Sequence, residues 1–235
     1  ERSPEPYDRF RNRSIFPIES VAGHVVAFGG RVLGGEEKGI PKYMNSPESR
    51  VYHKGDILYA LGRNRNAIRR EGVALVVEGY MDVVSLAAAG IENTVAALGT
   101  ALTEEHARLL SRYAKRALLL FDSDEAGTRA AFRAGDVLLA EGVHPSVVTL
   151  PEGEDPDSLV RASGAAGVRP HLDAAVDVLD QKLQLLDERG YLGSSDGIRT
   201  AVDKLLPTVR AVKDPALRDI YVARVAERTG GRRET

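Results

Sequence analysis

Acidic side chains follow two short apolar runs, and these carboxylates are the residues best suited to chemistry. Glu78 and Asp82 come after the run VALVV, and Asp122 and Asp124 come after the run ALLLF. An apolar run of this length predicts a buried strand, so a carboxylate directly after it lies at the strand's carboxyl end. In open α/β sheets ligands bind at that edge. Because gathered carboxylates repel one another, we expect a divalent cation there.

Each of these acids also has a purely structural interpretation. Glu78 would be a charge that the dipole of the next helix favours, and Asp122 or Ser123 would cap a helix. In a third acidic group, EGEDPD, the residues Asp155 and Asp157 either extend the same edge or belong to a solvated turn, with Asp157 as a helix cap. Convergence of such groups on one sheet edge favours function, because unrelated caps rarely meet.

Strands that alternate with helices must position these acids. We expect strands at 73–77, 94–98, 117–121 and 147–150, and helices at about 80–89, 103–112 and 126–141. Such alternation indicates parallel crossover connections and a covered sheet. Before them, the sequence predicts short strands at 15–18, 24–28 and 31–33, a bend at Gly29-Gly30 and a loop-rich stretch at 34–56. After them it predicts helices at 174–186, 198–206 and 215–228.

Composition narrows the class of protein. The 235 residues are 43% hydrophobic, enough for one domain with appendages or for two small ones. The net charge of −2 conceals a basic N-terminal third and acidic groups further on. The absence of cysteine excludes disulfides and thiolate zinc sites, and it favours a cytoplasmic protein. No segment has the length of a membrane span, and because the chain begins with Glu1 we expect a piece of a longer protein.

Cations beside glycines and prolines form a second candidate site. They include Arg9, Arg11, Arg31, Lys42 and Lys54. Such residues are usually solvated, but rigid loops that present cations suit phosphate groups. Nearby tyrosines, Tyr43 among them, could stack on bases. Gly99-Thr100 follows a predicted strand and either offers backbone N–H groups to a phosphate or forms a common turn.

The acidic motifs EGYMD at 78–82 and DSD at 122–124 resemble the paired motifs of the Toprim fold, which primases, topoisomerases and some nucleases share. Further segments resemble, in order, the motifs of bacterial replicative primases. They are DRFR at 8–11, FPI at 16–18, FGGR at 28–31, PKYMNSPE at 41–48, HKG at 53–55, LGTALT at 98–103 and GEDPD at 153–157. The resemblance covers about residues 7–162. It departs from the family where DSD replaces the expected Asp-Gly-Asp and in the weakly matching tail after about residue 165.

The resemblance implies roles for individual residues. Glu78, Asp122 and Asp124 would be the central catalytic and metal-binding acids, which Asp82, Asp155 and Asp157 would extend. The implied nucleotide- or nucleic-acid-binding residues are Arg9, Arg11, Arg31, Lys42, Tyr43, Asn45, Lys54, Gly79, Gly99 and Thr100. The cofactor would be Mg²⁺ or Mn²⁺. Zinc would belong to a family domain that is not in this sequence.

The implied fold is α/β, with a Toprim-type parallel sheet flanked by helices. We expect an N-terminal mixed α+β basic subdomain at 1–70, a Toprim catalytic subdomain at 71–165 and a C-terminal helical subdomain at 166–235. The implied activity is that of a DNA-dependent RNA polymerase that makes short RNA primers by two-metal nucleotidyl transfer. Its partners would be a single-stranded DNA template, the RNA primer, NTPs and a replicative helicase, the last through regions outside this chain. It would act in the cytoplasm at the nucleoid, with no membrane partner.

Other protein classes fit the residues less well. A Toprim nuclease would cut DNA without nucleotides, and a topoisomerase needs a nucleophilic tyrosine, for which no motif here provides a candidate. A haloacid-dehalogenase phosphatase would place the DSD motif after the chain's first strand, whereas it lies in mid-chain. A receiver-like module would need a lysine after a later strand, and residues 145–152 contain none.

Overall fold

A small antiparallel sheet forms the N-terminal part of the protein. The structure, a computed structural model, describes residues 7–34 and 39–230. Strands β1 (Arg13–Glu19), β2 (Val25–Val32) and β3 (Tyr43–Asn45) lie side by side in that order. A short 3₁₀ helix at Lys54–Asp56 and helix α1 (Leu61–Glu71) lead from this sheet to the rest of the chain.

Strand β2 runs straight through Gly29 and Gly30, so the predicted bend at these glycines is wrong. Both residues pair with β1, Gly29 with Phe16 and Gly30 with Ile15. The glycines serve close packing instead. A Cβ at Gly29 would lie 2.9 Å from the Tyr80 ring, so only a residue without a side chain lets the ring approach this strand.

The stretch predicted to be loop-rich, 34–56, contains regular structure. Strand β3 and the 3₁₀ helix both lie within it, while residues 35–38 lie outside the described part of the chain. Strand β3 forms because β2 offers it an edge, where Arg31 pairs with Tyr43 and Gly29 with Asn45. Residues Tyr43–Asn45 show no strand pattern in the sequence, so β3 depends on its pairing with β2.

A five-stranded sheet forms the centre of the molecule. Its strands are β4 (Val73–Val77), β5 (Thr94–Ala96), β6 (Arg116–Leu119), β7 (His144–Val147) and β8 (Val176–Asp177), in the order β5-β4-β6-β7-β8. The first four are parallel, and β8 pairs antiparallel with β7 at one edge. The prediction of a covered parallel sheet is confirmed.

Helices surround the central sheet. They are α2 (Tyr80–Ala88), α3 (Glu104–Leu110), α4 (Glu125–Ala140), α5 (Pro156–Asp173), α6 (Val178–Glu188), α7 (Ser195–Ala211) and α8 (Pro215–Thr229). Helices α2, α3, α4, α7 and α8 lie close to their predicted positions. Helix α1 was not predicted, and α5 was foreseen only as the helix that Asp157 would cap in the structural interpretation. The second has weak amphipathic character, a left-handed Gly164 and an internal Pro170, all of which obscure a helical pattern.

Two predicted elements are displaced in the structure. The strand predicted at 147–150 lies at His144–Val147, because it pairs with β6 in the register Arg116 to His144. Val148 and Leu150 are still buried, so the apolar run fills the core beyond the strand. The helix predicted from Ala174 begins only at Val178, since the chain first adds β8 to the sheet.

The central sheet separates two apolar layers. Ala74 and Val76 of β4 pack against α4 and the C-terminal helices, whereas Leu75 and Val77 face the other layer. That second layer includes Ile18 of the N-terminal sheet. Both ends of the chain therefore share a core with the central sheet, and the subdomain boundaries at 70 and 165 stay a prediction.

Burial of this kind gives each large side chain about 1.5–3 kcal/mol of favourable transfer free energy. The combined burial of these side chains holds the strand ends in fixed positions. No helix in residues 7–34 and 39–230 has the length and apolar character needed to cross a membrane.

A carboxylate cluster at the carboxyl edge of the parallel sheet

The predicted acids lie where adjacent parallel strands end. Strands β4 and β6 are neighbours in the register Val76 to Leu119, so the residues that follow them emerge at the same edge. Glu78 and Asp122 meet there, and the Asp122 backbone N–H donates to Glu78 Oε1 at 3.4 Å. Topology alone thus brings together two carboxylates that are far apart in the sequence.

Repulsion among these acids is evident from their proton affinities. Burial raises the pKa of Glu78, and the charges of Asp122 and Asp124 raise it further. Burial likewise raises the pKa of Asp122, followed by the charges of Asp155 and Asp124. The carboxylates therefore form one coupled set, in which each negative charge makes the next less favourable.

Asp82 is the most perturbed acid of the set. Its pKa is raised to about 7, chiefly by burial, with Asp122, Asp155 and Asp157 adding repulsion. Asp82 lies in the first turn of α2, where its Oδ2 accepts the N–H of Gly79 at 3.0 Å, and this bond opposes the shift. Near neutral pH this side chain therefore exchanges a proton instead of holding a permanent charge.

Two further aspartates cap helices. Asp124 Oδ1 accepts the N–H of Gly127 at 2.7 Å at the start of α4, and Asp155 Oδ1 accepts the N–H of Ser158 at 2.7 Å at the start of α5. The structural interpretation expected Asp122 or Ser123 and Asp157 in these positions, so it named the wrong residues although both helices are capped by aspartates. The cap bonds do not exclude a second role for Asp124 and Asp155, because a carboxylate has a second oxygen and further lone pairs.

Asp157 is engaged differently. It accepts a hydrogen bond from the Ser85 hydroxyl, and Arg161 Nε lies 2.9 Å from its Oδ1. Asp157 therefore ties α2 to α5, and a guanidinium already balances its charge. It is not the cap of α5, as the structural alternative had it, because Asp155 occupies that position. Its role as a metal ligand stays a prediction.

The acids have the chemistry of a divalent-cation site but not a closed cage. In the described part of the chain, no group of three or more His, Asp or Glu side chains is arranged so that it could hold a metal ion as it stands. Mutually repelling carboxylates separate when no cation is between them. Mg²⁺ needs only one or two carboxylates from the protein, because waters and substrate phosphates complete its coordination. Glu78 and Asp122 can provide these carboxylates. The residues present therefore fit such a cation.

A cation directly before β3 acts on this cluster, and an aromatic ring lies beside that cation. The charge of Lys42 lowers the pKa of Asp122, which opposes the other effects. The Lys42 ammonium and the Arg31 guanidinium each lie 6.0 Å from the centre of the Tyr43 ring. Tyr43 itself is exposed. This arrangement suits a phosphodiester chain whose base can stack on the ring.

Asn45 connects this sheet to the turn after β5. Its Nδ2 donates to the Leu98 carbonyl at 3.1 Å, beside the predicted phosphate loop at Gly99-Thr100. Its Oδ1 is buried without a partner in the structure. Gly99 has φ of +69°, a conformation that favours glycine. Asn45 thus has a clear positional role next to this turn.

A cavity of about 320 Å³ joins three predicted residues. Glu78, Gly99 and Thr100 line it together with Arg133 of α4. Arg133 was not predicted as a site residue, because the predicted helix at about 126–141 did not reveal which of its residues lie beside Glu78. The cavity therefore adds one cation to the predicted phosphate-binding residues.

The two N-terminal arginines are not brought to the acids. Arg11 Nε donates to the Asp8 carbonyl at 3.1 Å, and its guanidinium lies over the Tyr7 ring. Arg9 is exposed. Within the described residues these arginines extend the basic surface, and their part in binding stays a prediction.

The architecture and the paired acids define a class. A parallel sheet with carboxylates after two adjacent strands is the Toprim arrangement, and a family model described as Toprim-like matches residues 75–160. Two more family models match the flanks. The N-terminal domain of the DNA primase catalytic core matches residues 1–65, and the DnaB-helicase binding domain of primase matches residues 179–234. The match to the helicase-binding domain covers the C-terminal tail, which the sequence predicted only as a helical subdomain.

Known proteins make the assignment specific. A DNA primase domain from Pseudomonas aeruginosa is 42% identical, with a TM-score of 0.85 over 95% of this chain and 70% of its own. A DnaG primase catalytic domain bound to ssDNA is 37% identical, with a TM-score of 0.83 over 96% of this chain and 71% of its own. The DNA primase of Clostridium acetobutylicum is 37% identical over 100% of this chain. The chain belongs to the bacterial DNA primase family, and it spans 38% of the length of that Clostridium relative.

Proposed function

We propose that this chain is the catalytic part of a primase, which synthesises short RNA primers on single-stranded DNA. The observation that carries the proposal is the meeting of Glu78 and Asp122 at one sheet edge, with Lys42, directly before β3, acting on Asp122. Nucleotidyl transfer needs this combination, since it is mostly positioning and charge stabilisation around a triphosphate. Relatives of the same family are DNA primases, and one is a catalytic domain bound to ssDNA.

The acids would hold the cofactor. Glu78 accepts the Asp122 backbone N–H and is repelled by the Asp122 charge, and Asp124 has an oxygen that its cap bond leaves available. When bound, Mg²⁺ or Mn²⁺ would lower the pKa of an attacking 3′-hydroxyl and offset the charge of the triphosphate. The raised pKa of Glu78 and Asp122 fits this role, because a group that disfavours its own charge is stabilised by a cation.

The basic side would bind the polyanions. Arg31 and Lys42 would contact phosphates, and Tyr43 between them would stack on a base. Gly99, Thr100 and Arg133 would receive the nucleotide's phosphates in the cavity beside Glu78. Backbone contacts of this type bind the template with little base readout.

The proposed function also involves a replicative helicase and a location in the cell. We expected contact with a replicative helicase outside this chain. The match to a helicase-binding domain of primase supports a contact within residues 179–234 instead. Synthesis of primers for replication would place the chain in the cytoplasm at the nucleoid.

Extension of an annealed RNA primer on single-stranded DNA tests this function. With NTPs and Mg²⁺ or Mn²⁺, the wild type should extend the primer, EDTA should stop it, and Asp122→Ala should reduce extension by at least about 10²-fold. Asp203→Asn, which removes an exposed carboxylate of α7, is the matched control and should remain active. Wild-type extension by Asp122→Ala would reject the assignment, and metal-dependent cleavage of DNA without NTPs would identify a nuclease.

A further inference from the structure

The loop that carries Lys54 is held by two side chains of another element. Thr103 Oγ1 donates to the Gly55 carbonyl at 2.6 Å, and His106 Nε2 lies 2.8 Å from the Lys54 carbonyl. Thr103 caps α3 and His106 lies in its first turn, so the start of α3 grips two consecutive carbonyls of the loop. No local pattern predicts this contact, because 48 residues or more separate the partners.

The protonation state of the His106 ring follows from its partners. The Thr103 backbone N–H donates to Nδ1 at 3.2 Å, so Nδ1 is an acceptor without a proton. The neutral ring then carries its proton on Nε2, which donates to the Lys54 carbonyl. The side chain is fully buried, and burial lowers the pKa of His106, which keeps the ring neutral.

Glu48 fixes the loop from the opposite side. Its Oε1 accepts the Lys54 backbone N–H at 3.0 Å, and its Oε2 lies 2.8 Å from His53 Nδ1. Both backbone polar groups of Lys54 are therefore bonded. Among the residues that the structure describes, the Lys54 ammonium forms no ion pair, although it is close enough to Glu48 for its charge to contribute to the lowered pKa of that carboxyl. The backbone is thus clamped while the charged end is left for a ligand.

We propose that His106 is a positioning residue for Lys54, and that its Nε2–H holds the loop where the ammonium meets a phosphate of the bound polyanion. The ligand class rests on the proposed function and on the sequence resemblance, which implies that Lys54 contacts a nucleic acid or a nucleotide. A hydrogen bond from a buried neutral ring suits this task, because it fixes orientation without adding charge near the site. His106 does not itself touch the ligand.

Two substitutions separate this role from the ring's role within α3. Asn at position 106 places an acceptor near the position of Nδ1 and preserves the bond from Thr103, but it cannot reach the Lys54 carbonyl. Gln at position 106 places a donor near the position of Nε2 and preserves the bond to the loop. His106→Asn should therefore weaken binding by about threefold or more, and His106→Gln should remain close to wild type.

Binding of DNA is measured by the fluorescence anisotropy of a labelled single-stranded oligonucleotide, and binding of nucleotide by the fluorescence of a mant-labelled nucleoside triphosphate. The two assays show which of these ligands supplies the phosphate that Lys54 contacts. Lys54→Ala should weaken one of them by about tenfold. In the Lys54→Ala background, His106→Asn should then have no further effect, since its influence passes through Lys54. Additive losses, equal losses in the Asn and Gln variants, or no loss in Lys54→Ala would each overturn the proposal.

A measurement on the wild type covers the case in which His106→Asn does not fold. The ¹⁵N NMR spectrum of the His106 ring should show an Nε2–H tautomer whose proton exchanges slowly with water. A protonated Nδ1 would overturn the proposal. Neither readout requires primer synthesis, so a chain that binds as described but fails the primer-extension assay would contradict the proposed function alone.

Discussion

Replacement of Asp82 by Asn should stabilise the protein when divalent cations are absent, and more strongly at alkaline pH. Burial raises the pKa of Asp82 from its ordinary value of 3.8 to about 7, against the effect of the hydrogen bond from Gly79. An Asn side chain can still accept that N–H, now 3.0 Å from Oδ2. The substitution therefore removes the unfavourable charge and keeps the cap of α2.

The size and sign of the effect follow from the shift. The folded carboxyl keeps its proton up to about pH 7, whereas the unfolded one loses it near pH 4, so stability falls as the pH rises through this window. A shift of about 3 units corresponds to about 4 kcal/mol above pH 7, at about 1.4 kcal/mol per unit. From pH 5.5 the loss continues only up to the folded pKa of about 7, which is about 1.5 pH units. This part of the loss corresponds to about 2 kcal/mol.

Urea unfolding in EDTA at these two pH values measures the effect. Asp82→Asn should gain about 2–4 kcal/mol at pH 8.5 and about 2 kcal/mol less at pH 5.5. Asp203→Asn, the exposed control, should show no such pH-dependent gain. If Asp82→Asn is destabilised, or if its gain is the same at both pH values, the carboxyl does not carry the buried charge inferred here.

Three other variants test the packing around the site. Gly127→Ala should abolish primer extension and destabilise the protein by more than about 2 kcal/mol, because its Cβ would lie 2.2 Å from the Asp122 carbonyl oxygen; extension assays and urea melts check both. Lys182→Ala should cost about 3 kcal/mol in urea melts, since the buried ammonium donates to Asp136 at 2.8 Å and also to Thr208; a loss below 1 kcal/mol would contradict this. Ser85→Ala should lower stability by about 1 kcal/mol, because it removes the hydroxyl that ties α2 to Asp157, and unchanged melts would argue against that tie.

The site was predictable where local pattern decides the structure. Apolar runs locate β4 and β6; Glu78 follows β4 directly and Asp122 lies three residues after Leu119, so the two acids meet once the strands are parallel neighbours. The cap of α3 is also local, because Thr103 and its partner His106 are three residues apart, whereas the caps of α4 and α5 were assigned to neighbouring residues. The sequence motifs also pointed to the family that the comparisons support.

Structure that depends on distant partners was not predictable. Strand β3 exists because β2 offers an edge, and Gly29 lies within β2 because the ring of Tyr80 packs on it. The pairing of Asp157 with Ser85 and the grip of His106 on the loop join residues 72 and 52 positions apart. No local pattern encodes such contacts, which require the fold to be known.

The proposed function requires that Glu78 and Asp122 together bind a divalent cation. An electron paramagnetic resonance titration with Mn²⁺ tests it most directly, since free Mn²⁺ is counted without any assay of activity. The wild type should bind Mn²⁺, Glu78→Gln and Asp122→Asn should each lose that binding, and Asp203→Asn should retain it. Equal binding by the wild type, Glu78→Gln and Asp122→Asn would show that these two carboxylates are not the ligands of the cation.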